Sequence, residues 1–343
     1  MTRPSNSPPR TPGLIVLLAA FVLAAGCDAP VPGEDPEARG VLVLEGGLVF
    51  TSPHADPIED GVVVVLDGVI EAVGVRGQVP IPAAARRVPI SNLSVVSGLW
   101  NADVGLPVEL LELAETATDE ELSEALEERF IRHGFVTIVE TAHSGGALDV
   151  LMERIRSGAV AGPRILPTGA GIPTGMERAR GGGGPGSEAI GGAGEGAPDR
   201  SAELAERGIA LIPSLTRAGY PGPQESIDQA DERRERALAE TVRFAGLGGD
   251  IVFGSGSGYV PQYDPSTDYM LMDDAGIPPA ALLASLTVNP ADRLGHDYTG
   301  RIEPGMVADL VVVEGDPLAD PLALTRVLWV LKEGITLYNV LGR

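Results

Sequence analysis

Strand-forming sequence sits at both ends of this chain and brackets a different pattern in between. Residues 40–51 and 61–74 are short runs of Val, Leu and Ile, with Asp67-Gly68 where a two-residue hairpin turn belongs. Residues 308–314 and 327–337 repeat that character, with Pro304-Gly305 and Glu333-Gly334 as turn signals. Like segments at opposite ends predict one composite β-sandwich module, drawn from residues 40–92 and 300–343. The intervening residues 93–299 must therefore return the chain to its own start.

That interval alternates strands with helices, the pattern of parallel βα units. Thr118 followed by Glu121 reads as a capping box, after which Leu122, Ala125, Leu126 and Phe130 share one helical face until His133-Gly134 ends it. A strand over 135–141 follows, then a helix over 147–157 and a strand over 164–168. Helices over 201–207 and 227–247 precede strands over 209–215 and 250–253. With residues 93–103 as the first, about five core strands result, and the fold class is α/β. Residues 169–200 depart from the pattern, and the glycine-dominated stretch 180–198 reads as a loop. No lysine stands there to make a phosphate cradle.

The N-terminus carries an address. Arg3 and Arg10 precede an apolar stretch over 14–25, too short to span a bilayer, so residues 1–26 read as a signal peptide. The run Leu23-Ala24-Ala25-Gly26-Cys27 resembles a bacterial lipoprotein lipobox, in which the cysteine is acylated. Cys27 is the chain's only cysteine, which excludes an intrachain disulfide and a thiolate metal cluster. Acylation there predicts a membrane partner and a cell-envelope location, periplasmic or outer-surface, with residues 27–39 as a flexible tether. The formal charge of -23, with one lysine among 25 basic residues, argues against binding nucleic acid or anionic lipid through a basic patch.

Several segments resemble the amidohydrolase superfamily, in the branch of imidazolonepropionase and prolidase-like members. Residues 61–74 (GVVVVLDGVIEAVG) are similar to its opening hairpin, and residues 96–106 (VSGLWNADVGL) to its first barrel strand. Residues 251–258 (IVFGSGSG) are similar to its eighth strand. Asn289-Pro290-Ala291-Asp292-Arg293-Leu294-Gly295 and residues 300–312 (GRIEPGMVADLVV) are similar to its closing signature. The resemblance implies a (β/α)8 barrel with a small β-sandwich, and a divalent metal such as Zn or Mn at the C-terminal strand ends. It further implies hydrolysis of C–N bonds, with metal-bound water as nucleophile and an aspartate moving the proton.

The residues at the matching positions depart from that chemistry. The family's first strand ends in a His-x-His pair, because residues i and i+2 of a strand share one face; here those positions are Asp103 and Gly105. The acid/base aspartate of the eighth strand corresponds to Gly256. The remaining family ligands belong to strands four to six, for which no strand signal is found, so the resemblance implies an incomplete TIM-type barrel. A substitute metal site would combine Asp103, Glu140 and His143, mixed carboxylate and imidazole donors at neighbouring strand ends. His54, His133 and His296 lie elsewhere, His133 at a helix C-terminus that would favour its charged form. Ser255 and Ser257 stand among glycines with no identifiable base. Two functions follow as expectations: a hydrolase by descent that is catalytically impaired, or a non-catalytic lipoprotein binding a small-molecule ligand or serving as scaffold. An oligomer or a partner chain would cover open barrel edges.

Overall fold

A computed structural model describes residues 40–169, 171–179 and 200–341, which belong to the compact unit spanning residues 33–343. Residues 1–26, read above as a signal peptide, residues 27–39, read as a tether with Cys27, and the glycine-rich stretch 180–198 lie outside the described residues.

The N-terminal strands are β1 (Val41–Val49), β2 (Ile58–Leu66), β3 (Val69–Val75), β4 (Arg86–Pro89) and β5 (Leu93–Ser97). The central strands are β6 (Leu99–Val104), β7 (Phe135–Glu140), β8 (Arg164–Pro167), β9 (Met176–Arg178) and β10 (Ala210–Ile212). The C-terminal strands are β11 (Leu310–Glu314), β12 (Val327–Lys332) and β13 (Ile335–Asn339). Interspersed are helices α1 (Val108–Thr116), α2 (Asp119–Arg129), α3 (Ala147–Arg156), α4 (Ser201–Glu206), α5 (Leu215–Ala218), α6 (Ile227–Gly246), α7 (Ser266–Asp274), α8 (Pro279–Leu286) and α9 (Val288–Arg293).

Both chain ends enter one sheet, ordered β13-β12-β11-β5-β1-β2-β3, with β4 pairing β1. The join between them is antiparallel, β5 against β11, with Ser97 opposite Leu310 and Leu93 opposite Glu314. Asp67 and Gly68 turn the β2–β3 hairpin with φ of 48° and 80°, the two positive values that a type I′ turn requires. Alternation along the strands sends side chains to opposite faces. Leu310, Val312, Trp329 and Leu331 pack into one cluster with Leu44 and Val63, while Val311, Val313 and Val330 join the main core with the helices. Val62 and Val64 face a third cluster, so the unbroken Val62–Val65 run is buried on both sides. Each such valine contributes about 1.5–3 kcal/mol relative to exposure.

Residues 93–103 do not form the single strand that their composition predicts. Gly98 divides them, its N–H donating to the Asp309 carbonyl at 2.8 Å, so β5 joins the terminal sheet and β6 the central strands. Centrally, β6, β7 and β8 form a parallel sheet and β9 pairs with β10. Residues 250–257 lie between these groups. They form no strand of their own and link them by single bridges, Ile251 to Leu211 and Ser257 to Val104. Ala102, Val139, Met176, Ala210, Ile212 and Val252 gather into one small core, with Leu166 packed against it. Six segments thus surround a shared apolar centre. Among the described residues no backbone pairing joins β8 to β9, so the sheet is not closed.

The capping box is present: Thr118 Oγ1 accepts from Glu121 N at 3.2 Å and Glu121 Oε2 accepts from Thr118 N at 2.9 Å. Leu122, Leu126 and Phe130 are fully buried beneath that helix. Helices α1, α5, α7, α8 and α9 fall outside the predicted ones, and none has a side-chain N-cap to mark its start. The interval 169–200, to which no strand was assigned, holds β9, whose three residues are too few to show a period. No helix among the described residues is long and apolar enough to cross a membrane.

Candidate functional site at the strand ends

The C-terminal ends of β6, β7, β9 and β10 converge on residues 254–259. Asp103, near the end of β6 and 0% exposed, is the hub. Its carboxylate accepts from Arg178 Nε at 2.9 Å and from Arg178 Nη2, from Ser214 Oγ at 2.7 Å, and from Thr141 Oγ1 at 3.1 Å. Arg178 is the last residue of β9, and Ser214 follows β10. Ser214 takes the left-handed conformation (φ 46°), strained for a residue with a side chain, and directly precedes α5.

Arg217 on α5 supplies a second guanidinium, with Nη1 3.6 Å from Asp103 Oδ2, too far for a hydrogen bond. Its Cζ lies 3.7 Å from the centre of the Tyr259 ring, a cation–π contact. The Tyr259 hydroxyl is 2.9 Å from Thr141 Oγ1, which completes a ring of contacts back to Asp103. Burial alone would push the Asp103 carboxyl above its usual range; Arg178 first, then Arg217 and Ser214, outweigh it and hold the carboxyl below. Burial lowers Arg217; attraction to Asp103 and the neighbouring Tyr259 hydroxyl only partly offset it, while Arg178 adds repulsion. Arg217 Nε and Nη1 are buried and have no hydrogen-bond partner among the described residues.

Glycines make room for these side chains. A Cβ at Gly105 would come within 2.9 Å of the Tyr259 ring, and one at Gly256 would overlap Cβ and Cδ of Arg217. Gly256 also has φ of 72°, where any other residue is strained. The side-chain space of both positions is therefore already occupied, by Tyr259 and Arg217 respectively.

The three candidates for a substitute metal site do not come together as one set. Glu140 at the end of β7 is fully buried, and accepts from Leu106 N at 2.6 Å, Ala142 N at 2.6 Å and His143 N at 2.8 Å. Its Oε1 also lies 3.2 Å from His143 Nδ1, so Glu140 and His143 pair with each other while Asp103 turns to the arginines. Among the described residues no three His, Cys, Asp or Glu side chains are grouped to hold a metal ion. The hydroxyls of Ser255 and Ser257 are 2.6 Å apart, and Ser255 Oγ accepts from Asn101 Nδ2 at 2.7 Å, so both are committed to the local turn. His133 ends a short 3-10 helix, but burial lowers its pKa and favours the neutral ring over the charged form expected there.

Sequence reasoning missed Arg178, Arg217, Ser214, Thr141 and Tyr259. Arg217 and Ser214 had a usable signal, since both fall at the end of the strand predicted over 209–215. Arg178 had none, because its strand was invisible. A cavity of about 470 Å³ opens away from this cluster, at the start of β8, lined by Met152, Ile155, Arg164, Ile165, Lys332 and Glu333. Its main cation, Arg164, is bound by Asp309 and Glu333, each at 2.9 Å, so the cluster at the opposite strand ends holds the more unusual chemistry.

Among solved structures, the fold is similar to that of a protein described as a prolidase from Bifidobacterium longum, with 20% identity, a TM-score of 0.69, and coverage of 87% of this chain and 94% of that one. A Xaa-Pro dipeptidase with bound methionine in its active site is similar over 88% of this chain and 100% of its own, at 16% identity and a TM-score of 0.66. An adenosine deaminase from Xanthomonas campestris with bound zinc is more distant, at 17% identity, a TM-score of 0.51, and coverage of 87% and 93%. At such identities the likeness shows the fold alone. No curated protein sequence matches the chain. Residues 116–335 match the Amidohydrolase family, and the chain belongs to that family.

Proposed function

We propose that this protein is a metal-free member of the amidohydrolase family, impaired in hydrolysis, that binds a small ligand at its strand ends while tethered to the cell envelope by an acylated Cys27. One observation carries the first part: the spaces that side chains at positions 105 and 256 would need are filled by Tyr259 and Arg217. A divalent cation needs lone pairs turned toward it. The donors here are two guanidiniums, which have no lone pairs to give, and Asp103, which is hydrogen-bonded to Arg178, Ser214 and Thr141. Zinc or manganese does not fit that set, and no hydrolytic step is derived through it. On this reading the incomplete barrel keeps its architecture and has exchanged a metal for a salt-bridged cluster.

The test is elemental mass spectrometry on a monodisperse preparation after exposure to zinc and manganese. Only traces of metal are expected. About one tightly held metal per chain would overturn the reading, as would C–N bond hydrolysis that Asp103→Ala abolishes. The anchor is tested separately by incorporation of labelled palmitate, which Cys27→Ser should eliminate.

A further inference from the structure

We propose that Arg217, beside Arg178, is the seat of a small oxyanion, either a carboxylate or a phosphate group. The inference rests on the metal-free reading, since a cation beside Asp103 would repel both arginines. It begins with charge. Two guanidiniums and one carboxylate leave these three groups with an excess of positive charge, and an arginine does not escape burial by losing its proton. Asp103 satisfies Arg178 with two direct hydrogen bonds and reaches Arg217 only at 3.6 Å.

The nearby carboxylates cannot serve instead. Glu140 is committed to the amides of Leu106, Ala142 and His143. Asp268 on α7 accepts from the amide and hydroxyl of Thr216 and so holds the start of α5. The side chain of Arg217 is 7% exposed, yet its Nε and Nη1 lack partners. Two other buried arginine nitrogens without partners are less telling. Arg233 Nε belongs to a guanidinium bonded to Glu225 and the Tyr220 carbonyl, and Arg129 Nε to one bonded to the Ala125 carbonyl. Buried donors of this kind are rare and call for an acceptor. Water could take the hydrogen bonds but not the charge; a monoanion takes both.

The geometry also bounds the ligand's size and route. Tyr259 and Arg217 occupy the room beside Gly105 and Gly256, so a bulky group is excluded there. Tyr259, which covers the guanidinium face, is 36% exposed, so the cover is itself at the surface.

The experiment is thermal unfolding of the full chain at constant ionic strength, with chloride exchanged stepwise for acetate in one arm and for inorganic phosphate in the other. A rise in Tm that grows with the logarithm of anion concentration is expected, about 2–4 °C once the anion exceeds its Kd about tenfold. A response to acetate alone assigns a carboxylate, and to phosphate alone a phosphate group. No such response to either overturns the proposal. Arg217→Gln, shown to be folded by circular dichroism, should lose the response, and an unchanged response would also overturn it. Should that variant fail to fold, Tyr259→Ala, which removes the cover, decides: tighter binding supports the proposal and unchanged affinity sinks it. Metal content measured on the same preparation separates the two readings. Bound metal refutes the metal-free assignment, whereas no metal and no anion response refutes only this inference.

Discussion

Two buried aspartates face arginine in this fold, at opposite ends of the same strands, and their surroundings are inverted. Asp309 accepts from Arg164 at 2.9 Å and from Glu333 N at 2.8 Å, and Arg164 is also bound by Glu333 and lies 3.0 Å from Thr137 Oγ1. Arg164 there meets two carboxylates, and the neighbouring Lys332 donates to the Gly162 carbonyl at 2.9 Å, so each cation has its partner. At the other end one carboxylate meets two cations, and Arg217 keeps donors without partners. The first arrangement is a clamp that ties the start of β8 to the C-terminal hairpin. The second leaves charge over, and uncompensated charge in a folded interior marks a place where something else belongs.

The comparison can be broken most sharply at Asp103. Asp103→Asn strands two buried guanidiniums and should cost about 3–5 kcal/mol in urea or guanidinium unfolding; a loss below about 1 kcal/mol would mean that the arginines find other partners.

A pH effect comes next. Burial raises the Asp268 carboxyl to about 6 against its hydrogen bonds from Thr216, so the folded state holds that proton more tightly than the unfolded chain. Its contribution is fullest below about pH 4 and falls by on the order of 2–3 kcal/mol as pH rises to 6 and above. Asp103 has the opposite sign. Its carboxyl is lowered, so its stabilisation holds above pH 3.8 and is lost only as pH falls through the lowered value. Stability profiles of wild type and Asp268→Asn should therefore diverge between pH 4 and 6, and superimposed curves would refute the assignment.

Asp309→Asn should cost less, about 1–3 kcal/mol, because Arg164 retains Glu333 and Thr137. Should it equal or exceed Asp103→Asn, the contrast drawn between the two ends fails. Smallest is the difference between two glycines of similar φ. Gly276→Ala (φ 81°) meets open space and pays only backbone strain, about 1–2 kcal/mol, whereas Gly256→Ala (φ 72°) must also displace Arg217. Equal losses in the two variants would show that Arg217 yields freely.

The sequence was legible where turn and cap residues carried the signal. Asp67-Gly68, Glu333-Gly334 and the Thr118–Glu121 pair each specify a turn or cap within a few residues, and each turn or cap forms. The family was legible too, through the Asn289–Gly295 and 300–312 segments. The chemistry was not. Asp103 finds Arg178, Ser214 and Arg217 across long stretches of chain, and strand ends meet only when the whole fold assembles. A three-residue strand such as β9 has no periodicity to betray it, so the arginine at its tip stayed hidden. Asp103 and Gly256 could be singled out in the sequence, but what surrounds them could not.

The pairing of β5 with β11 sets the order of events during biosynthesis. Ser97 emerges from the ribosome long before its partner Leu310, so the terminal sheet cannot close while the chain is being made. Until β11 and β12 arrive, Val63 and Val65 lack the cover that Leu310, Val312, Trp329 and Leu331 give them, a state that is hazardous if prolonged. Final locking of the sheet waits on β11 to β13.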